Sequence, residues 1–376
     1  MKSYSRPVLF LICFFLYNSA NAQVQTELSG QISLTGIYNT KNILSAAGRY
    51  IPQVKVCIPL NMSSNIDFEI AANSYQTISK LKSEETKFYG KVKPYRLWGR
   101  YYSEQFEIRG GIQKINFGSA ILLRPLMWFD NIDPTDPLQL TDGVTAVLGR
   151  YYFLNNSNVW IWGIYPSNEE KSWETKITKK GTPEFGGRIQ YPLLTGELGF
   201  SYHRRIIEDY DIQNPGTSSD ITEQRFGIDW KLDYEVGIWF ESAGYYKSRE
   251  TISERNYLSA VIGADYTFSL GNGLNLVVEH LMVTTEFLKI SDPRNSLTAL
   301  SINYPLDILD NISGIIFYDW ERKNEYLFVN LHRKYDNLSI HLIGYSVPGK
   351  SFLPAKESSE SIFEGQGVQI TFIFNH

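Results

Sequence analysis

Cysteine is nearly absent. The chain of 376 residues holds two, Cys13 and Cys57, too few for a disulfide framework or a thiolate metal cluster. Histidine is almost as scarce, with His203, His280, His332, His341 and His376 making up the whole set. None has a partner at metal-ligand spacing, so neither a metal nor a cofactor is expected. The chain also has no His-Glu-x-x-His motif, phosphate-binding loop or Gly-x-Ser-x-Gly elbow, which leaves the familiar enzyme frameworks without their key residues. Charge of one sign is not in excess: 36 Lys+Arg against 40 Asp+Glu give a net charge of −4, which excludes nucleic acid as a partner of the whole surface. Long apolar runs are missing too. The one clear run, Pro7 to Leu16, lies at the N-terminus, and the mean hydropathy of −0.24 argues against a helical membrane bundle.

Aromatic residues, by contrast, are abundant. The chain has 25 Tyr, 21 Phe and 8 Trp, many for a protein surrounded by water and fitting for one that meets lipid on one side. The first residues read as an address. Lys2 and Arg6 precede the apolar stretch Val8–Leu16, and Ala20 and Ala22 have the small-x-small spacing of a signal-peptidase site. That core is too short to span a bilayer and suits an export leader. Residues 1–22 are therefore expected to be cleaved, leaving residues 23–376 as one domain with Cys57 as its only thiol.

Past Gln23 the dominant pattern has period two. In Arg225–Asp233 the apolar set is Phe226, Ile228, Trp230 and Leu232, and the polar set includes Arg225, Asp229 and Lys231. Glu197–His203, Ser259–Phe268 and Gly367–Phe374 repeat the scheme. A half-buried strand produces this alternation and a helix does not. Short connections near Asn61–Asn65, Ser103–Gln105, Asn155–Asn158, Pro192–Gly196, Asp233–Val236, Leu270–Gly273, Leu306–Asn311 and Tyr335–Asn337 alternate with longer segments such as Thr40–Arg49, Gln76–Lys87, Ser167–Thr182 and Pro348–Glu360. That rhythm is expected of an all-β, up-and-down antiparallel barrel crossing an outer membrane, with short turns at one rim and long loops at the other. The runs number about 18, or 16 if those near Trp160 and Ile340 are too short. Phe226, Ile228, Trp230 and Leu232 should face lipid, with Arg225, Asp229 and Lys231 in the lumen. Arg at Ile228 should cost about 2–4 kcal/mol if that position lies near the midplane, and Arg at Gly227 much less unless packing forbids it. The ring pairs Tyr101-Tyr102, Tyr151-Tyr152 and Tyr245-Tyr246 sit near run ends, where an aromatic girdle belongs.

From Lys114 to Asp142 the alternation stops. This third long loop contains Ile121-Leu122-Leu123 and Leu126-Met127-Trp128-Phe129, which need burial. Folding into the lumen would bury them and place Arg124, Asp130, Asp133 and Asp136 where solutes pass. Residues 109–118, Arg-Gly-Gly-Ile-Gln-Lys-Ile-Asn-Phe-Gly, followed by Pro125, Asn131 and Asp133-Pro134-Thr135-Asp136-Pro137, resemble the strand-loop signature of alginate-export-type outer-membrane porins over residues 107–143. The resemblance implies a porin-like barrel that passes solutes through a charged pore. Gly367–Phe374 is similar to the final-strand assembly signal of bacterial outer-membrane barrels, which implies that the barrel-assembly machinery is a partner; Asn375 and His376 overrun the signal.

The residues expected at the pore or its constriction are Arg96, Arg100, Glu107, Arg109, Gln113, Lys114, Arg124, Asp130, Asp133, Asp136, Glu184, Arg188, Arg225, Asp229 and Lys231. Arg96, Arg100 and Arg109 should face Asp133 and Asp136, while Glu107, Glu184 and Glu279 should pair with arginines across strands. The expected function is a channel in the outer membrane of a Gram-negative bacterium, passing small polar or charged solutes, saccharides among the candidates. Outer-membrane lipid and the solute are its other partners, and no enzymatic role is expected. The alternative is a non-transport barrel serving adhesion, envelope assembly or hydrolysis, in which His203 or His280 beside a carboxylate would be the catalytic candidate.

Overall fold

The computed structural model describes residues 24–40, 43–81, 86–130, 132–133, 135–166, 169–172, 174, 176–210, 218–249, 256–284, 295–348 and 365–376. The leader, Asn131 and Pro134 lie outside them. The first strands are β1 (Gln25–Asn39), β2 (Ile43–Asn61), β3 (Ser64–Leu81), β4 (Lys87–Ser103), β5 (Phe106–Gln113) and β6 (Val144–Tyr152). Then follow β7 (Asn158–Ile164), β8 (Glu184–Leu193), β9 (Gly196–Tyr210), β10 (Ser218–Asp233), β11 (Gly237–Lys247) and β12 (Tyr257–Phe268). The last are β13 (Leu274–Thr284), β14 (Asn295–Pro305), β15 (Asp310–Asp319), β16 (Asn324–Lys334), β17 (Leu338–Val347) and β18 (Gly365–Asn375). Each strand pairs antiparallel with the next, and β1 pairs with β18, so the 18-stranded sheet closes on itself. Closure satisfies every edge, the condition for strands to cross lipid. The short runs near Trp160 and Ile340 are β7 and β17, which decides the count.

The two residues that overrun the terminal signal belong to the seam. Asn375 pairs with Gln31, and the His376 backbone exchanges hydrogen bonds of 2.9 and 3.0 Å with Gly30. The His376 ring stacks on Tyr50 at 5.9 Å.

The eight expected short connections form one rim, each of two to five residues. At the other rim two expectations need correction. Thr40–Arg49 and Gln76–Lys87 are mostly strand, because β2 and β3 run on for 19 and 18 residues. Small residues hid the alternation there: Ala46 and Gly48 point outward between Leu44 and Tyr50, while Ser45 and Arg49 point inward.

The faces of β10 follow the sequence pattern. Phe226 is exposed on the outer face, Arg225 and Asp229 are buried on the inner face, and Lys231 is half-buried there. The outer surface as a whole is apolar, with Leu34, Ile161, Ile189, Phe200 and Ile262 among its exposed residues, as a lipid-facing band requires. The ring pairs contribute only one member each to that surface, because successive strand residues point to opposite faces. Tyr101, Tyr151 and Tyr246 face out, whereas Tyr245 is buried inside and Tyr102 lies beneath the Arg100 guanidinium, 4.4 Å from the ring centre.

At Gly227 the packing exception applies. A Cβ there would come within 2.4 Å of Leu126 Cδ2 and 3.3 Å of Trp128, so the third loop forbids even small side chains. The face assignment is better tested with Ile228→Arg on the outer face of β10 against Ser313→Arg on the inner face of β15. The first should cost about 2–4 kcal/mol if it lies near the midplane, and the second clearly less, because a lumen-facing side chain does not enter lipid. Equal costs in urea unfolding from lipid vesicles would show the faces to be wrong.

Candidate channel constriction

The strand β5 ends on a fully buried Gln113, whose side-chain amide donates to the carbonyls of Arg109 (3.2 Å) and Ala146 (2.9 Å). The chain then leaves the wall and crosses the lumen to β11 and β13. There two carboxylates receive it. Glu241 accepts from the backbone N–H groups of Ala120 (2.8 Å) and Leu126 (2.6 Å). Glu279 accepts from those of Ile121 (2.6 Å), Leu122 (3.0 Å) and Leu123 (2.5 Å), and from Trp239 Nε1 at 2.9 Å. Gly118 permits this approach: it has φ 101°, and a Cβ on it would lie 2.4 Å from Glu241 Oε2.

The apolar side chains of the loop divide into two packings. Ala120, Leu122 and Leu123 join Trp239, Val261, Leu281 and Leu297 on the far wall. Leu126, Trp128, Phe129 and Phe117 pack against Val144, Ala146, Leu148 and Trp162 beside the stem. Phe117 stacks on Trp162 (5.5 Å, 22°) and meets Trp128 edge-on (5.5 Å, 90°). The lumenal fold of Lys114–Asp142 thus follows from its composition. Ile121 is the exception at 48% exposure.

Charges on the loop are held mostly within it. The Arg124 guanidinium donates to Asn116 Oδ1 and to Phe117 O. Asp130 is buried, accepts from Thr141 Oγ1 (3.0 Å) and lies 3.9 Å from Lys114 Nζ. Burial pushes its carboxyl up from the usual range, and Lys114 and Thr141 oppose the shift. Asp133 accepts from Thr135 N and Oγ1 (2.8 and 2.6 Å), and Asp136 from Leu138 N (2.9 Å). Both remain half-exposed.

The arginines expected opposite them engage nearer partners. Arg96 is a strut that donates to the carbonyls of Tyr95 (2.6 Å) and Thr141 (3.1 Å), while Lys93 pairs with Asp142 at 2.5 Å. Arg100 pairs with Asp67. Arg109 and Arg150 both point at Glu107 (2.7 and 3.7 Å), as does Arg100 at 4.0 Å. The buried Nε groups of Arg100, Arg109 and Arg150 have no hydrogen-bond partner. Three guanidiniums thus share two carboxylates on this half-exposed wall. Burial raises the Asp136 carboxyl above the usual range, and the charge of Arg49 on β2 opposes that shift.

Four other expected pore residues are buried away from the lumenal water. Arg188 holds Asp229 (2.5 and 2.9 Å). Glu184 accepts from Lys171 Nζ and Thr178 Oγ1 (both 2.7 Å) and contacts His203 Nε2 at 3.0 Å. Arg225 bridges Glu223 (2.8 Å) and Glu174 (2.7 Å). The third loop covers Arg188 and Asp229, with the Phe117 ring 5.3 Å from the Arg188 guanidinium and Ser119 Oγ donating to Asp229 at 3.2 Å. A second inward loop, the segment between β7 and β8 expected among the outer loops, covers Glu184 and Arg225. Its Lys171, Glu174 and Thr178 insert into the wall beneath it. Lys231 pairs with Asp233 toward the short-turn rim.

The sequence reading missed Glu241 and misassigned Glu279, which takes backbone amides in place of an arginine. A signal existed in the register. The cross-strand neighbours of Glu241 are Asp229 and Val261, and those of Glu279 are Gly263 and Ala299, so neither carboxylate has a cation beside it in the sheet.

The catalytic candidates lack free nitrogens in the lumen. His203 Nδ1 accepts from Trp162 Nε1 (3.2 Å), which leaves Nε2 to donate to Glu184, and the residue is fully buried. His280 pairs in register with the outward Ile262 and hydrogen-bonds Thr298 Oγ1 at 2.9 Å, on the lipid-facing side.

No family model and no curated protein sequence matches the chain, so the likeness of residues 107–143 to alginate-export-type porins rests on that motif alone. Solved structures do match. Pseudomonas aeruginosa OccD3 (OpdP) aligns at a TM-score of 0.55 and 11% identity, covering 95% of this chain and 93% of that one. Acinetobacter baumannii OccAB2 aligns at 0.56 and 9%, covering 94% and 98%, and Pseudomonas aeruginosa OccK5 (OpdH) at 0.56 and 10%, covering 94% and 97%. The fold is that of the outer-membrane porins.

Proposed function

We propose that this chain is a channel in the outer membrane of a Gram-negative bacterium, passing small polar or charged solutes, saccharides among the candidates. One observation carries the reading: Lys114–Asp142 crosses the lumen and is pinned to the far wall by Glu241 and Glu279, which narrows the barrel. Between the outer edge of that loop and the wall of β2–β6 lie half-exposed polar side chains, including Arg49, Gln53, Trp98, Arg100 and Arg109. The acidic Asp133 and Asp136 on one side and the excess guanidinium on the other set up a transverse field. Such a field sorts solutes by charge and size without binding them tightly. In this reading residues 1–22 are a cleaved leader, the final strand engages the barrel-assembly machinery, and the protein catalyses no reaction.

Planar-bilayer recording of the refolded mature chain should give stepwise currents. A heat-modifiable, correctly folded barrel that never conducts would overturn the proposal. Asp133→Asn with Asp136→Asn should move the reversal potential in a salt gradient toward anion selectivity, because the wall arginines then act unopposed. A shift toward cations would place the two carboxylates outside the solute path.

A further inference from the structure

Two of the five histidines share one rung of the lumenal wall. His332 on β16 pairs in register with His341 on β17, and their rings stack at 4.2 Å with an interplanar angle of 5°. Both lie on the inner face near the short-turn rim. Asn311 is opposite His332 on β15, and Thr371 is opposite His341 on β18. His341 is buried, and its Nδ1 lies 3.3 Å from Asn330 Oδ1. A carbonyl oxygen only accepts, so Nδ1 must carry the proton and Nε2 the lone pair. His332 Nε2 is buried and has no hydrogen-bond partner. A buried, unsatisfied imidazole nitrogen beside a second imidazole with a fixed tautomer is otherwise unexplained, since unsatisfied buried polar atoms are costly.

We propose that His332 and His341 form a lumenal site for a divalent transition-metal ion, with copper bound most tightly. Neutral imidazole is a ligand for copper, nickel and zinc and a poor one for magnesium or calcium. Adjacent cross-strand positions fix the two backbones, so chelation requires only that the rings splay by side-chain rotation. Asn330 holds the His341 ring through Nδ1, Asn311 supplies an oxygen donor on the same face, and lumenal water completes the coordination. The one charged side chain on the inner face of this rung and the next is Lys334, two residues from His332 on the same strand. Its cationic charge weakens the site and favours ions that gain most from imidazole. The site stands whether or not the barrel conducts.

The test uses the refolded, untagged full-length barrel in detergent. Titration with copper(II) chloride, followed by calorimetry and electron paramagnetic resonance, should show one site with two equatorial nitrogens. Zinc should compete for it, and magnesium should not. His341→Asn and, separately, His332→Gln should each weaken copper binding at least tenfold and remove one nitrogen from the spectrum. His376→Asn should leave both unchanged. Heat-modifiable mobility on gels confirms that each variant is folded. Unchanged copper affinity in both rung variants, or loss of binding in His376→Asn alone, would overturn the site. Displacement of copper by magnesium at equal concentration would also do so.

Discussion

Replacing Glu241 and Glu279 together by leucine should detach the tip of the third loop and raise single-channel conductance. Six hydrogen bonds end on these two carboxylates, five from loop backbone N–H groups and one from the Trp239 indole. A hydrogen bond to a charged acceptor contributes about 1.5–3 kcal/mol, and a buried amide left without a partner costs about 1–3 kcal/mol. Five orphaned amides therefore outweigh what Ala120, Leu122 and Leu123 gain by staying on the far wall, about 1.5–3 kcal/mol for each large apolar side chain. The stem is different. Phe117, Leu126, Trp128 and Phe129 pack beside the loop's own root and should hold it there. The double variant should consequently conduct more than the native barrel and less than one from which Leu122 to Pro134 has been deleted. Chymotrypsin should cleave after Leu122 or Leu123 in the variant alone. Glu279→Gln keeps one acceptor oxygen and should show a weaker form of the same change. Unaltered conductance together with unaltered chymotrypsin resistance would mean that packing alone holds the loop.

How much of this was legible in the sequence depends on how far each feature reaches along the chain. The faces of β10 could be read because alternation is local: Phe226 and Arg225 differ by one residue and point to opposite sides. The fate of Lys114–Asp142 could be read because a run such as Leu126–Phe129 must be buried somewhere, and a barrel offers only its inside. What it docks against could not. Glu241 and Glu279 lie more than 100 residues beyond the amides they accept from, and only the strand register, which needs the closed sheet, shows that neither has a cation beside it. The second inward loop was missed for a related reason. Lys171, Glu174 and Thr178 read as a solvated loop, and only the register of β8, β9 and β10 shows that Glu184, Arg205, Glu223 and Arg225 form a charged socket beneath them. Arg188 and Arg225 were expected to meet solute because charges inside a barrel usually meet water. The third loop excludes that water from Arg188, and the second inward loop excludes it from Arg225.

The socket supports the other large effect, Glu223→Leu. The Glu223 carboxylate accepts from Arg205 Nε at 2.7 Å and Arg225 Nε at 2.8 Å, with Lys247 Nζ at 3.7 Å. Glu174 from the loop completes the set, 3.0 Å from Arg205 and 2.7 Å from Arg225. All five side chains are buried. Removing one partner from a buried ionic cluster leaves uncompensated charge and costs about 3–5 kcal/mol. Here the loss leaves Arg205 and Arg225 sharing Glu174, so Glu223→Leu should approach the upper end of that range in urea unfolding from vesicles. Glu174→Leu removes an equal charge but from a loop that can lift away. Water then reaches Arg225 and Arg205, and Glu223 still neutralises part of their charge. That variant should lose less stability and gain trypsin cleavage at Lys176 or Lys179, which Glu223→Leu shares only if its loop also opens. If Glu174→Leu destabilises the barrel as much as Glu223→Leu while its loop stays protected, the loop is part of the barrel's rigid wall.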